Sequence, residues 1–405
     1  MKIAYLAPEI PALSATFVYK EILKLNDFGT DVVPFSVHKP HSEASDPQLG
    51  ELKENVIHLY EAAKWTVFLA HIYLLFTKPI HYLRTVLLVG KDMFNLGGVS
   101  RKAFGLGFRF FYSAFLAKAM IKNQCQHLHI HFAHIPTDIG MYASSLSGIS
   151  FSVTAHANDL FERGWLLKQK VERSAFFATI SEFNKRYLAG KGINTENVQI
   201  VRCGVDDEQF TQRENFVPGK NFKVGVVGRL VEKKGIDTLI HAVALMKKKG
   251  VDVELYVAGS GPLESELTKL AGETKNISFL GSMAHTDVAK FISSLDAFVL
   301  PCKIDINGDM DGIPVVLMEA MLSGVPVIST KVSGIPELVI DEVTGLLVEV
   351  DNEEALAAAI SRLRIDSELR ETMIQGAIEK VSREFSLNVN TQRLRSLFMN
   401  VVENS

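Results

Sequence analysis

The chain has 405 residues, 47% hydrophobic and 22% charged, with a net charge of -3. That length provides for two domains with separate cores, and the near-neutral balance gives no electrostatic case for nucleic acid binding or an acidic tail. Three widely spaced cysteines, Cys125, Cys203 and Cys302, form no metal pattern and suit a reducing, cytoplasmic setting.

The N-terminal run MKIAYLAPEIP has one lysine and a short apolar stretch broken by Pro8 and Pro11, so it reads as a first β-strand rather than a signal peptide. A helix over 17–29 follows, for which Ser14 or Thr16 is a candidate cap. Strands are expected at 31–37 and 56–59, with a polar stretch at 39–54 between them. The span 61–122 is helical by composition, interrupted at Pro79 and at the glycines 97, 98, 105 and 107. It carries nine Lys/Arg against two Asp/Glu, with apolar runs at 65–76, 82–89 and 104–120. No run reaches the roughly 18 apolar residues needed to cross a bilayer. Two readings stand side by side. These helices cover the sheet of the first domain, or an apolar aromatic surface flanked by Arg109, Lys118 and Lys122 lies in a membrane interface.

HLHIHFAH at 127–134 alternates histidine with apolar residues and reads as a strand running into a loop, followed by a helix from about Thr137. A strand and loop at 151–161 and strands at 176–180 and 198–201, with intervening helices, complete a mainly parallel α/β domain. A polar span at 207–221 is the expected linker. A second α/β run then begins, with strands at 222–228, 253–259, 276–281, 297–301, 325–330 and 344–348. Helices alternate with them, and further helices are expected at 353–363, 366–384 and 386–404. The domains expected are 1–206, 207–385 and a terminal helix at 386–405, with a ligand cleft between the first two at the carboxyl ends of their sheets.

GVVGRL at 225–230 followed by EKKG places a strand, a tight turn and cations ahead of a helix. Gly228 permits close backbone approach, Arg229 offers a planar fork and Lys234 a point charge for an anion. The pattern is neither a P-loop nor GxGxxG. Gly259 and Gly261 form a second strand-to-helix turn. Asp311 and Glu319 bracket DGIPVVLME, in which Pro314 opens a helix. A carboxylate here can accept two hydrogen bonds from a vicinal diol, and the amides of Gly312, Ile313 and Val315, with Pro314 between them, border the same turn. Asp305 and Asp309 read as solvent-facing. The histidines at 127, 129, 131, 134 and 156 invite a zinc reading, but no helical H-x-x-x-H and no nearby carboxylate completes one, so no metal is expected. His131 and His156 stand near strand ends as cleft-facing hydrogen-bonding groups, and Asp159 is a candidate cap for the next helix.

In order and spacing, GVVGRLVEKKG, VAGSGP and DGIPVVLMEAMLSGVPVISTKVSGIPEL resemble the donor-binding half of retaining glycosyltransferase family 4, of the GT-B fold. PEIPALSATFVYKE, HIHFAH and TAHANDLF are similar to bacterial enzymes of colanic acid and amylovoran synthesis. The resemblance implies two Rossmann-like domains facing across a cleft, an N-terminal acceptor domain and a C-terminal donor domain. Arg229 and Lys234 would neutralise the diphosphate of a nucleotide-sugar, and Glu319 would bind ribose. Gly259 to Pro262 would lie near the base, and His156 would touch sugar hydroxyls. Asp311 replaces the first glutamate of the family's E-x7-E motif, shortening the group on the sugar side. Ser14 and Thr16 stand where many members have adjacent glycines, and with His131 and Asp159 they would shape the acceptor pocket. The last helix would cross back to the first domain, and domain closure would exclude water. The implied activity is sugar transfer to a lipid-linked or polysaccharide acceptor, without metal or other cofactor. A GT-B nucleotide-sugar epimerase and a non-catalytic sugar-nucleotide-binding protein are the alternatives.

Overall fold

The computed structural model describes residues 1–12, 15–40, 49–207, 210, 221–272, 274 and 276–404. Ser14, half of the polar stretch at 39–54 and most of the expected linker lie outside them. The chain divides into two units, one of Met1–Ile180, Lys185–Val201 and Asn390–Ser405, the other of Ser181–Asn184 and Arg202–Val389.

The first unit runs β1 (Lys2–Ala7), α1 (Thr16–Asp27), β2 (Asp31–Ser36), α2 (Gly50–Asn55) and β3 (Ile57–His58). Three helices follow in succession: α3 (Lys64–Thr77), α4 (Pro79–Asn95) and α5 (Arg101–Lys122). The chain then returns to β4 (His127–His131), α6 (Ile135–Ser147), β5 (Ser150–Ala155), α7 (Asn158–Phe161) and α8 (Leu167–Arg173). It continues through β6 (Phe177–Thr179), α9 (Glu182–Gly190) and β7 (Val198–Ile200). The strands are parallel in the order β3-β2-β1-β4-β5-β6-β7. Strand alternation sends Ile3, Tyr5 and Ala7 to one face of β1 and Ala4 and Leu6 to the other. On β4, Leu128 and Ile130 face α6, where a Cβ at Gly140 would stand 2.4 Å from Ile130 Cδ1, so a glycine sets the helix-to-sheet distance.

Several local expectations are corrected. The N-cap of α1 is Ala15, with no side-chain cap bond, and Thr16 is already the first helical residue. Gly105 and Gly107 lie inside α5 without breaking it, because Ala103, Leu106, Tyr112 and Leu116 bury its inner face. Pro79 opens α4, where its missing amide is harmless. By length and composition α5 passes as a candidate span, although no unbroken apolar run of that length marks it in the sequence. Arg109 and Lys118 are not free flanking charges: Arg109 pairs with Asp138 and lies over Trp165, and Lys118 lies over the Tyr73 ring.

In the second unit, β8 (Phe222–Val227) leads through a 3-10 turn at Glu232–Lys234 into α10 (Ile236–Lys248). Next come β9 (Val253–Ala258), α11 (Glu264–Ala271), β10 (Ile277–Gly281), α12 (His285–Ser293) and β11 (Ala297–Leu300). Then follow α13 (Val315–Leu322), β12 (Val327–Thr330), α14 (Ile335–Leu338) and β13 (Leu346–Val348). The chain ends with α15 (Glu353–Ile365), α16 (Ser367–Glu384) and α17 (Leu387–Glu403), of which Leu394 and Phe398 join the core of the first unit. The sheet order is β10-β9-β8-β11-β12-β13, all parallel. Ser181–Asn184 group with this unit because the Glu337 carboxylate accepts from the amides of Glu182 and Phe183 at 3.0 and 2.8 Å while pairing with Arg202 at 2.8 Å.

Gly235 ends the 3-10 turn in the left-handed region at φ 63°, and a Cβ there would stand 1.9 Å from the Pro301 carbonyl oxygen. Left-handed strain alone costs about 1–2 kcal/mol, and the overlap adds to it. Gly235→Ala should therefore lower stability by more than about 2 kcal/mol, read as a fall in the urea midpoint by far-ultraviolet circular dichroism. An unchanged midpoint would contradict this account of the turn.

Candidate active site

In an open parallel sheet, ligands bind where the strand order reverses, at the carboxyl ends of the strands. In the second unit that point lies between β8 and β11. The loop after β8 carries Gly228 and Arg229, and the loop after β11 carries Cys302, Asp309 and Asp311. The two are joined by charge. Lys234 Nζ donates to Asp311 Oδ2 at 2.6 Å, and Lys233 Nζ lies 2.7 Å from Asp309 Oδ2 and 3.5 Å from Asp311 Oδ1. Cys302 Sγ donates to Asp311 Oδ2 at 3.5 Å. Burial works against the charge on Asp311, yet Lys234 and Lys233 outweigh it and hold the carboxyl below its usual range. The same balance lifts Lys234: burial disfavours the ammonium, and Asp311 overcomes that penalty. Burial and the neighbouring carboxylate push the Cys302 thiol well up, so it remains protonated.

Two glycine turns hold this arrangement. A Cβ at Gly259 would sit 1.8 Å from Gly228 O, and one at Gly261 would sit 2.4 Å from Leu230 O. Leu230 N in turn donates to Ser260 O at 2.9 Å. These glycines therefore serve the packing of one turn on the other. The Lys234 side chain passes over Gly228, its Cε 3.5 Å from where a Cβ would stand. Arg229 is exposed on this loop. Gly312, Ile313 and Pro314 are buried, Pro314 is the N-cap of α13 rather than its first residue, Val315 begins the helix and Glu319 is buried one turn further in. Asp309 is not solvent-facing as the sequence suggests, because Lys233 draws its side chain in. Asp305 instead folds its carboxylate onto the amides of Asn307 and Asp309. In the sequence, Lys233 is signalled only by standing beside Lys234 in an adjacent pair of lysines.

In the first unit the order reverses at β1 and β4, and a buried polar cluster lies there. His131 Nε2 is 2.7 Å from Tyr5 Oη and 3.0 Å from Glu21 Oε1, Tyr5 Oη donates to Glu21, and His131 Nδ1 is 3.1 Å from His156 Nε2. The His156 ring packs against Phe17 and Phe132, with centroids 4.8 and 4.6 Å away. Asp159 does not cap α7, whose N-cap is Ala157. Its carboxylate accepts from the amides of His156 and Ala133, fastening the loops after β5 and β4 together, while burial lifts its pKa to about 6. Thr16 is half-buried one residue before Phe17.

A carboxylate does reach the histidines, contrary to the sequence reading. Glu21, His129 and His131 offer ligand atoms within 4.8 Å of one another. Glu21 comes from α1, 110 positions from His131, so spacing could not reveal it. Both His129 nitrogens are nevertheless held by hydroxyls, Nδ1 by Ser152 at 2.8 Å and Nε2 by Thr154 at 3.1 Å. The group is thus closed as a hydrogen-bonded network.

With this geometry in place, the chain can be compared with known proteins. Residues 207–380 match the family described as Glycosyl transferases group 1. That segment is therefore similar to a group 1 glycosyl transferase domain. The cationic turn and Asp311 lie inside it. The chain is 36% identical over 238 residues to WcaL of Salmonella typhimurium, provisionally named a colanic acid biosynthesis glycosyltransferase, covering 58% of this chain and 59% of that protein. It is 31% identical to the amylovoran biosynthesis glycosyltransferase AmsK of Erwinia amylovora, covering 60% of this chain and 62% of AmsK. Each match therefore spans less than two thirds of the relative. Sucrose-phosphate synthase of Thermosynechococcus elongatus superposes with a TM-score of 0.72 at 19% identity over 100% of both chains. Anabaena HepE, solved in complex with UDP-glucose, does so with 0.72 at 18% over 99% of this chain and 100% of HepE. The fold is that of these GT-B glycosyltransferase neighbours, two units each with a parallel sheet.

Two pH dependences follow. Burial lowers the pKa of His127 and of His134 to about 3, and drives His129 and His156 well down. Below the ordinary value of 6.5 the unfolded chain takes up protons that the folded one refuses. Stability of the first unit should therefore fall as pH drops from 6.5, by up to about 1.4 kcal/mol per pH unit for each such histidine. Both tryptophans, Trp65 and Trp165, lie in this unit, so their fluorescence during urea unfolding isolates it; a midpoint unchanged between pH 7 and 5 would refute the assignment. In the second unit, the lowered Asp311 and raised Lys234 stabilise above the usual carboxylate range and below the usual lysine range. Coupling between Lys234→Met and Asp311→Asn in a double-mutant cycle should vanish as pH falls through the depressed Asp311 value; persistence in strong acid would contradict the ion pair.

Proposed function

We propose that this protein is a retaining glycosyltransferase of family 4 that moves a sugar from a nucleotide-sugar to a lipid-linked or polysaccharide acceptor in exopolysaccharide synthesis. The observation that carries this reading is the Lys234 ammonium, set beside Asp311 at the strand-order reversal of a segment similar to a group 1 domain. The exopolysaccharide names of WcaL and AmsK and the UDP-glucose complex of HepE support it.

In this reaction the bond from the anomeric carbon to the β-phosphate oxygen breaks, and its electron pair leaves with the nucleoside diphosphate. Lys234 and Arg229 meet the negative charge that builds on that oxygen, a stabilisation largest at the transition state. The acceptor hydroxyl forms the new carbon–oxygen bond on the same face, and its proton passes to the departing phosphate. No side chain is assigned as nucleophile, and metal-independence is part of the proposal. Glu319 takes the ribose hydroxyls, the turn at Gly228, Gly259 and Gly261 borders the nucleotide, and the backbone of Gly312 to Val315 faces the sugar and phosphate. His156, kept neutral by burial, hydrogen-bonds a sugar hydroxyl. Thr16, Ser14, His131 and Asp159 support the acceptor side.

Asp311 has a double effect in this scheme. It holds Lys234 in place and competes with phosphate for it. Asp311→Asn should bind nucleoside diphosphate more tightly while turning over more slowly. Lys234→Ala should lose roughly 10²–10³ in kcat/KM, the range seen when one preorganised charge-stabilising donor is removed. The deciding assay mixes purified protein with UDP- and GDP-sugars and polyprenyl-diphosphate-linked oligosaccharide, following diphosphate release and glycan length. Absence of transfer across the panel would overturn the proposal, and turnover of the nucleotide-sugar without acceptor would favour an epimerase.

A further inference from the structure

We propose that α3 and α4 form an in-plane docking surface for a bilayer bearing anionic lipid headgroups. Both helices are apolar on the side that faces solvent. On α3, Val67, Ala70, His71 and Leu74 occupy the inner face, while Trp65, Phe68 and Phe76 are 67%, 45% and 79% exposed. On α4, Thr85, Val89 and Asp92 point inward, and Ile80, Leu87 and Phe94 are 64%, 75% and 79% exposed. Isolated exposed hydrophobics are ordinary, but a succession of them on consecutive helices marks an interaction surface.

Charge selects the occupant. From residue 62 to residue 122 the only acid is Asp92, which is 0% exposed and held by Arg173 and the Tyr142 hydroxyl. Lys64, Arg84, Lys91, Arg101 and Lys102 are exposed in the same span. A second copy of this face would set like charges against one another, whereas an anionic surface complements them. The geometry favours lying in the interface over crossing it. At 1.5 Å per residue α3 and α4 are roughly 21 and 25 Å long, short of a bilayer core of about 30 Å, and the pair bends by 120° at its break. The longer α5 buries its inner face in the first unit.

The test is co-sedimentation of the full chain with vesicles of phosphatidylcholine, with and without phosphatidylglycerol. Binding to the mixed vesicles should exceed binding to pure phosphatidylcholine by about tenfold or more, and high salt should release it. Arg84→Glu with Lys91→Glu should abolish the phosphatidylglycerol preference, and Leu83→Glu with Leu87→Glu should weaken binding to both vesicle types. All four positions are exposed, so circular dichroism should match the parent chain. Failure of the parent chain to sediment with phosphatidylglycerol vesicles would overturn the proposal. So would a lipid-free dimer in sedimentation velocity that the leucine pair of substitutions dissolves, since that assigns the face to a second copy.

Discussion

The ion pair between Lys234 and Asp311 is the constraint on which the second unit's carboxyl edge depends. An ammonium and a carboxylate removed from most of the solvent are tolerable only when each compensates the other. The pair therefore fixes the turn after β8 against the loop after β11, across the place where the sheet changes direction. Lys233 and Asp309 repeat the pairing one step outward, and Lys303, whose amide donates to the Lys233 carbonyl at 2.9 Å, extends it to Asp237 at 2.6 Å. The edge is thus an alternating lattice of charge, anchored below by a continuous apolar core that includes Val226, Leu300 and Leu317. An anion entering such a lattice redistributes existing partners rather than meeting a bare cation.

The first unit uses a different solution at the equivalent strand reversal. Its sheet buries polar side chains and neutralises them by hydrogen bonds instead of charge. His127 lies between Ser150 and Ser152, His129 between Ser152 and Thr154, and His131 between Glu21, Tyr5 and His156. A buried polar group without a partner costs about twice what a satisfied one contributes. The network is therefore demanding about which residues stand opposite each histidine. It also holds the His156 ring at one edge, packed between two phenylalanines.

The alternation of strands and helices was legible because period and punctuation are local. HLHIHFAH announced a two-faced strand, and FKVGVVG a buried one ending in a turn. The Lys234 and Asp311 candidates were legible as residue types at chain turns. Their contact was not, since 77 positions separate them and only the sheet order unites them. Glu21 escaped for the same reason. The continuity of α5 through two glycines shows tertiary burial outweighing a local helix penalty of about 1 kcal/mol for each. The cationic role expected of Arg109 failed similarly, because Asp138 on α6 drew the side chain inward. Local pattern reports what a segment can do, and partners distant in sequence decide which option it takes.

The turns at Gly228 and at Gly259 to Gly261 are interlocked. With no room for even one methyl group between them, neither turn can change its backbone path while the other stays fixed. The two turns therefore behave mechanically as a single part, and a shift of one displaces the other.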